Sequence, residues 1–244
     1  MKKLKMLSIF LMMLFLATSC DDTGNNGIFN CECGEGDIVS QTLNINEFTG
    51  VKLRGSSKVF ITQGNDFQVI VEGQQNIIDL IELDIQDNIW EIEFEECIRD
   101  YEKLNFYITI PDITRLEVSG SGDIVGQNAF NADVLQLKVD GSGEVDVEIE
   151  NAETVETKIE GSGKIKVKGQ ANDSENRISG SGDLRAFDLE VLTSYVKITG
   201  SGDAEVNASD ELKVKITGSG NVYYKGNPAI DVDITGTGDL VNAN

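Results

Sequence analysis

The chain is 244 residues long, carries a formal net charge of −22 and contains no histidine. The acidic charge excludes nucleic acid as a partner, because it repels a phosphate backbone, and it disfavours electrostatic attachment to anionic lipid. Without histidine the chain has neither the usual base for a Ser-His-Asp triad nor a mixed-ligand zinc site, so we expect no cofactor, no metal and no enzyme activity.

The first element in chain order is an export signal over residues 1–19. Lys2, Lys3 and Lys5 precede an apolar run from Met6 to Leu16, which is too short to span a bilayer. The ending "LATSC" places Cys20 directly after this run and resembles a bacterial lipoprotein signal, so we expect Cys20 to carry lipid and to hold the protein on a membrane. The alternative is an ordinary signal peptide cut nearby, with Cys20 left as a thiol.

Residues 20–36 form an acidic linker behind the lipidated cysteine, with an early strand or turn. Asp21 and Asp22 directly follow Cys20 and resemble the export tag of surface lipoproteins in the Bacteroidetes. This resemblance implies an outer-membrane lipoprotein exposed on the cell surface. The alternatives are a generic solvated linker and a protein that faces the periplasm.

Cysteine chemistry follows from export into an oxidising compartment. With Cys20 taken by lipid, Cys31, Cys33 and Cys97 remain, and we expect a disulfide that joins Cys97 to either Cys31 or Cys33. Such a bridge would attach the N-terminal segment to the body of the fold.

Residues 37–115 are predicted to be irregular strands that cap one end of a larger structure. The motif "GSSK" (55–58) looks like a degenerate copy of a corner that recurs later in the chain. Strands are predicted at Phe67–Val71, Ile81–Ile85, Ile89–Phe94 and Leu104–Ile110. The stretch "QNIIDLIEL" (75–83) could form a helix or, equally, two short strands with a turn.

Residues 116–241 contain seven glycine triplets, Gly-Ser-Gly or Gly-Thr-Gly, spaced 18 to 21 residues apart. The paired glycines are Gly120 and Gly122, Gly141 and Gly143, Gly161 and Gly163, Gly180 and Gly182, Gly200 and Gly202, Gly218 and Gly220, and Gly236 and Gly238. An apolar residue stands two positions before each triplet (Val118, Val139, Ile159, Ile178, Ile198, Ile216 and Ile234). Another stands two positions after it (Ile124, Val145, Ile165, Leu184, Ala204, Val222 and Leu240). Apolar and polar residues alternate between the triplets, which is typical of strands with one buried face.

This repeat predicts an all-β, single-stranded β-solenoid with coils of roughly 20 residues. Each triplet would be a corner whose glycine takes a positive φ, and its serine or threonine would bond the next coil, giving a ladder of hydroxyls. The intervals do not follow the hexad of left-handed helices, so a right-handed coil is favoured. The alternative is a β-meander or barrel in which each triplet closes a hairpin.

The position after each triplet is mostly acidic and could suggest calcium. The column reads Asp123, Glu144, Lys164, Asp183, Asp203, Asn221 and Asp239. A file of cations would not tolerate Lys164, so we interpret these residues as solvated turn acids that cap local N–H groups. An isolated Ca²⁺ between Asp183 and Asp203 stays open.

Several stretches resemble the DUF2807 family, the auto-transporter adhesin head GIN domain. The opening "FTGVKLRGSSKVFITQG" (48–64) is similar to the start of that family, and "LEVSGSGDIVG", "VKITGSGDAEV" and "GSGNVYYKGNP" are similar to its body and end. The resemblance covers residues 45–241 and implies a β-helix-like fold, a cell-envelope setting and no catalytic residues. The chain departs from the family in Cys33 and Cys97, and it lacks a C-terminal barrel, so a lipid anchor would replace self-transport.

Residues 37–241 are therefore predicted to form one non-enzymatic domain that binds an unknown protein or glycan. The alternatives are a periplasmic scaffold and, less favoured, a carbohydrate-active β-helix. An exposed aromatic strip would favour sugar binding, but the chain has a single tryptophan, Trp90, and three tyrosines in its repeats (Tyr195, Tyr223 and Tyr224). Self-association into a homo-oligomer stays open.

Overall fold

The computed structural model describes residues 31–244, and these residues fold almost entirely into β-strands. The N-terminal elements are β1 (Glu32–Cys33), β2 (Ile38–Thr42), β3 (Gly50–Gly55), β4 (Lys58–Gln63), β5 (Gln68–Gln74), α1 (Gln75–Ile78), β6 (Ile85–Gln86), β7 (Ile89–Ile92), β8 (Ile98–Arg99) and β9 (Leu104–Ile110). The later strands are β10 (Arg115–Gly120), β11 (Asp123–Gly141), β12 (Glu144–Gly161), β13 (Lys164–Gly180), β14 (Asp183–Gly200), β15 (Ala204–Gly218), β16 (Val222–Lys225), β17 (Ala229–Gly236) and β18 (Leu240–Asn242).

The later strands stack in parallel, coil upon coil, into a β-solenoid of about six turns. Strands β11 to β15 pair with each other in sequence order, and all of these ladders are parallel. The predicted solenoid is therefore confirmed. The alternative of a meander or barrel is wrong, because hairpins closed by the glycine triplets would pair their strands antiparallel. The hand of the coil stays a prediction.

Each coil has two regular parts, separated by a bend where the register slips. A short arm follows the glycine corner, and a long arm leads to the next corner. In β11 the short arm starts at Asp123 and the long arm runs over residues 134–141, with register shifts between Val125 and Asn131. Equivalent shifts occur between β12 and β13 and between β13 and β14.

The core consists of apolar columns that run through the stacked coils. The residues two positions before the triplets are in register and almost fully buried from Val118 to Ile216. In the last long arm the column continues as Ile234, which is 38% exposed because no further coil covers β17. Removing these side chains from water is the main favourable term that stabilises a solenoid, since each coil completes the core of its neighbour.

Four polar side chains interrupt this apolar interior. Asn176 accepts a hydrogen bond from the Thr157 hydroxyl (2.8 Å) and donates to Ser174 (3.1 Å), and the Ser174 hydroxyl donates to Ser194 (2.8 Å). All four residues are at most 6% exposed. Because each group has a partner, the cluster avoids the cost of burying unpaired polar atoms.

The N-terminal strands are less regular, as predicted, but they continue the same stack. Strand β3 pairs in parallel with β10, and β4 pairs with β11, so that Gly55 of "GSSK" lies beside Gly120. The degenerate corner is thus confirmed. Strands β2, β5 and β9 add antiparallel pairs that are absent between the later coils of the described chain.

The individual strand predictions in this region had mixed outcomes. The strand at Leu104–Ile110 is confirmed by β9, and β5 and β7 match two others to within a few residues. The prediction of a strand at Ile81–Ile85 is wrong, since β6 begins only at Ile85 and Ile81 forms an isolated bridge with Phe94. The ambiguous stretch from residue 75 begins with the four-residue helix α1.

Candidate functional site

The glycine corners form one continuous edge of the solenoid, held by a repeated backbone hydrogen bond. At each triplet the N–H of the middle serine or threonine donates to the carbonyl of the first glycine one coil earlier, at 2.8 to 2.9 Å. The expected hydroxyl ladder is reduced to one contact, 3.1 Å between Ser201 and Ser219. The corner therefore depends on the backbone, and its hydroxyls remain directed to solvent.

The two glycines of a triplet are required for different reasons. Gly161 has φ +111°, a left-handed conformation, and a Cβ there would lie 2.6 Å from the Gly141 carbonyl oxygen. Gly163 lacks the positive φ, but its Cβ would lie 2.7 Å from the Gly143 oxygen and would overlap the Val139 side chain. The first position thus needs glycine for conformation and space, and the second needs it for space alone.

A second set of structural glycines lies at the bend after the short arm, and the sequence analysis missed it. Gly169 (φ +118°) and Gly226 (φ +90°) both place hydrogen where a Cβ would overlap a carbonyl oxygen of the previous coil. In the sequence, these bends are marked by a glycine followed by glutamine or asparagine at the end of the short arm, at residues 169–170 and 226–227.

The column of polar residues after the corners links coils to each other. The Asp203 carboxylate accepts bonds from the Asn221 backbone N–H (2.8 Å) and side-chain amide (3.1 Å), and the Asn221 side-chain oxygen accepts one from the Asp239 N–H (3.1 Å). The capped N–H groups belong to the next coil, so the prediction of local capping is wrong for these residues. Asp183 pairs with Arg185 at 3.2 Å. Across residues 31–244 no three potential metal ligands come together.

The outward side of the long arms carries a second column, which we call the cation ladder. It consists of Lys138, Lys158, Arg177, Lys197 and Lys215. Each of these residues pairs directly with the next across the parallel strands. Glu117 precedes Lys138 in the same register, and Asp233 follows Lys215. Five cations stacked in register contrast with the net charge of the chain, which is −22.

Both ends of the cation ladder are paired with carboxylates. Lys138 lies 3.0 Å from Glu117, Lys158 lies 3.1 Å from Glu160, and Lys215 lies 2.9 Å from Asp233. Arg177 bonds Glu175 of its own strand. Lys197 differs: it is exposed, and among residues 31–244 no carboxylate oxygen lies within 4.0 Å of its ammonium. The middle of the ladder thus keeps unneutralised positive charge.

Glu117 is the buried carboxylate of this surface, at 3% exposure. Burial disfavours its charged form, but the hydrogen bonds from Arg115 (2.5 Å) and Lys138 (3.0 Å) outweigh that penalty. The pKa of the Glu117 carboxyl is consequently lower than its ordinary value. Glu117 therefore stays ionised and neutralises the first cation of the ladder.

An aromatic pair lies on the outward side of β4 and β9. The rings of Phe60 and Tyr107 stack with centroids 5.0 Å apart and planes 12° from parallel. Ile70 and Val125 are their neighbours in register on the two sides. Each ring covers one face of the other, so the pair offers a sugar less aromatic surface than two separate rings would.

The cysteines and a cleft lie at the N-terminal end of the described chain. The disulfide joins Cys31 to Cys97, one of the two predicted pairings, and Cys33 is not a free thiol either. Beside Cys97 an open cleft of about 720 Å³ runs past the "GSSK" corner, where the Ser56 hydroxyl lies 3.2 Å from that of Tyr101. Cys20 lies outside the described residues, so its lipidation stays a prediction.

The other aromatic residues named in the sequence analysis are divided between the core and the outer surface. Trp90 is fully buried, and its indole N–H donates to the Glu82 carbonyl at 3.0 Å. Tyr195 and Tyr223 are half-buried on the outer surface, and Tyr224 packs against the core. No helix in residues 31–244 is both long enough and apolar enough to cross a membrane.

Comparison with known proteins gives one family and several solved structures. The model of the family "Putative auto-transporter adhesin, head GIN domain" (DUF2807) matches residues 47–228. A putative adhesin from Parabacteroides distasonis is 27% identical, with a TM-score of 0.73 over 88% of this chain and 100% of the other. A putative adhesin from Bacteroides fragilis is 23% identical, with a TM-score of 0.78 over 86% and 99%. A "putative lipid binding protein" from Parabacteroides distasonis is 20% identical, with a TM-score of 0.75 over 88% and 100%. Among curated proteins, none matches the sequence.

Proposed function

The chain belongs to the DUF2807 family, and from that premise we propose that it is a non-enzymatic lipoprotein of the outer membrane that presents its solenoid for adhesion. The observation that carries the proposal is the repeated outer surface of the coils. Its corners and arms recur in register over residues 116–236, so the outward side chains stand in continuous columns along the whole stack.

The chemistry of this surface supports binding rather than catalysis. Outward carboxylates are engaged in ion pairs and hydrogen bonds: Asp183 pairs with Arg185, Asp203 accepts from the Asn221 backbone N–H, and Glu156 accepts from the Gln136 amide. A general acid and base would need a pair of groups whose pKa values are driven apart within one pocket. The Glu117 pKa is lowered, but by ion pairs that hold it ionised beside Arg115 and Lys138.

The anchor is the second part of the proposal. A lipid on Cys20 would hold the acidic domain on a membrane whose anionic surface would otherwise repel it. Mass spectrometry of the mature N-terminus tests this part, with Cys20→Ser as the variant. We expect diacylglycerol on Cys20 of the wild type and release of the variant into the soluble fraction. An unmodified Cys20, or one in a disulfide, would contradict the anchor.

Lipid binding, which one structural neighbour's name suggests for that protein, has less support here. The interior between the coils is filled by packed side chains such as Leu137, Val139 and Ile159, each at most 1% exposed. A lipid tail would have to displace this core, so we favour a ligand that binds from outside.

Protease shaving of intact cells tests the direction in which the solenoid faces. An antibody to the repeats follows cleavage, and a known periplasmic protein is the control. We expect the solenoid to be cut while the control survives. If it is protected until the envelope is broken, the adhesin proposal is wrong and a periplasmic scaffold takes its place.

A further inference from the structure

We propose that the cation ladder binds a linear acidic polysaccharide that runs parallel to the solenoid axis. The first argument is the local cost of the arrangement. Like charges directly opposite each other on neighbouring strands destabilise a sheet, by up to about 1 kcal/mol a pair. Lys158, Arg177, Lys197 and Lys215 nonetheless stack in register in an acidic chain. Such departures from local rules are expected where a surface serves binding.

The second argument is that the middle of the ladder is available. Lys197 is exposed without a carboxylate partner in the described chain, and its neighbours in the column are Arg177 and Lys215. The next outward column holds Tyr195 and Lys213. The ion pair from Lys213 to Asp231 (3.2 Å) has both side chains more than half exposed, so a ligand anion can exchange with it at little cost.

The third argument is spacing. Neighbouring strands lie roughly 4.8 Å apart, so the five cations repeat at that interval and span roughly 19 Å. A polymer with one anionic group on each unit presents charges in the same linear way. A column of hydroxyls, Ser179, Thr199 and Thr217, lies beside the cations in register and can bond sugar hydroxyls or carboxylates.

The flanking charges select a narrow ligand over a flat one. Asp140 and Glu160 line one side of the ladder in its first coils, and Glu156 and Glu175 line the other. A planar anionic membrane would meet these carboxylates as well as the cations, whereas a single polymer chain can follow the column between them. The overall negative field repels any polyanion, and it acts most strongly on duplex DNA, which carries one charge per about 1.7 Å of its axis.

The test is calorimetric titration of the full mature protein, purified in detergent, with oligogalacturonate; fully methyl-esterified oligogalacturonate is the neutral control. The ladder variant is Arg177→Gln/Lys197→Gln/Lys215→Gln. Its matched control, Lys164→Gln/Lys166→Gln/Lys168→Gln, removes the same charge from the short arm of β13. An exposed ion pair gives up to about 5-fold in affinity, so we expect a loss of roughly 10- to 100-fold in the ladder variant and less than about 5-fold in the control.

Each outcome decides the proposal. Lys197→Arg should keep the affinity, and circular dichroism should show that all variants fold. Equal losses in both triple variants, or no binding of the acid form by the wild type, would overturn the proposal. Phosphatidylglycerol vesicles and duplex DNA are the competing ligands. If either binds the wild type more tightly than oligogalacturonate does, and this binding is lost in the ladder variant, the proposal is overturned, because the ladder would then serve a membrane or a nucleic acid.

The inference rests on the proposed function, because it names a ligand for the outer surface that the proposed adhesin displays. Failure of the polysaccharide proposal can be distinguished from failure of the proposed function. Titration of the purified protein measures ligand binding and does not depend on the side of the membrane that the solenoid faces. Protease shaving decides the location alone.

Discussion

Replacing corner glycines separates the two physical requirements of the solenoid edge. Gly55→Ala adds a Cβ at φ +96° with nothing within 4 Å, so it introduces backbone strain alone. Gly163→Ala adds overlap with the coil below but no positive φ, and Gly161→Ala adds both. A non-glycine residue in a sparsely populated conformation costs about 1 to 3 kcal/mol, and overpacking costs a further 1 to 3 kcal/mol or so.

The expected losses of unfolding free energy are therefore about 1 to 3 kcal/mol for Gly55→Ala and for Gly163→Ala, and about 2 to 6 kcal/mol for Gly161→Ala. Urea denaturation gives the total loss, and hydrogen exchange shows whether the coils on either side of Gly161 open first, as a stack with nearest-neighbour coupling requires. If Gly161→Ala costs no more than Gly55→Ala, close stacking of the corners adds nothing and this account of the triplet is wrong.

Three further predictions follow from other contacts. Asn176→Leu should lower the free energy of unfolding, measured by urea denaturation, by about 2 kcal/mol, because the Thr157 hydroxyl loses its buried acceptor. The double variant Thr157→Val/Asn176→Leu should recover part of that loss, and no recovery would contradict the hydrogen-bonded cluster. Cys31→Ser/Cys97→Ser should lower stability by up to about 4 kcal/mol, because the bridge closes a segment of 66 residues, and an unchanged urea midpoint would refute this. The folded-state pKa of Glu117 lies below the ordinary 4.5, so its stabilisation is present above that pH and is lost as the pH falls through the lower value. The stability difference between wild type and Glu117→Gln, measured across pH, should thus be largest near neutrality and shrink in acid, and a constant difference would contradict the ion pairs.

The repeat made most of the fold predictable. Alternation places one side of each arm in the core, and the glycine triplets set the corners, so the stacking of Val118, Val139 and Ile159 follows from the sequence. The sequence could not show which hydrogen bonds hold the corner. The serine hydroxyl and the serine N–H occupy the same position in the repeat, and only the backbone geometry shows that the N–H donates.

The N-terminal strands were harder to predict because they do not repeat. The helix α1 and the late start of β6 depend on tertiary contacts, such as the burial of Ile77 and Ile78 against the core, that periodicity does not report. The apolar pairs Ile77-Ile78 and Leu80-Ile81 suit a strand and a buried helix equally well.

The cation ladder was visible in the sequence but was missed. A lysine or arginine stands three positions before five successive triplets, at Lys138, Lys158, Arg177, Lys197 and Lys215. The carboxylates after the corners suggest metal ligands. A lysine or arginine before a corner, by contrast, also fits the polar half of an alternating strand and does not by itself indicate a site.

The disulfide determines how mechanical load enters the domain. A pull on the chain before Cys31 passes through its sulfur to Cys97, which lies beside β8, and so bypasses the 65 residues between them. Under tension, strands β1 to β7 cannot be peeled off one after another from the N-terminal end while this bond is intact. A reducing environment would remove that shortcut, and the same tension would then act first on β1 and β2.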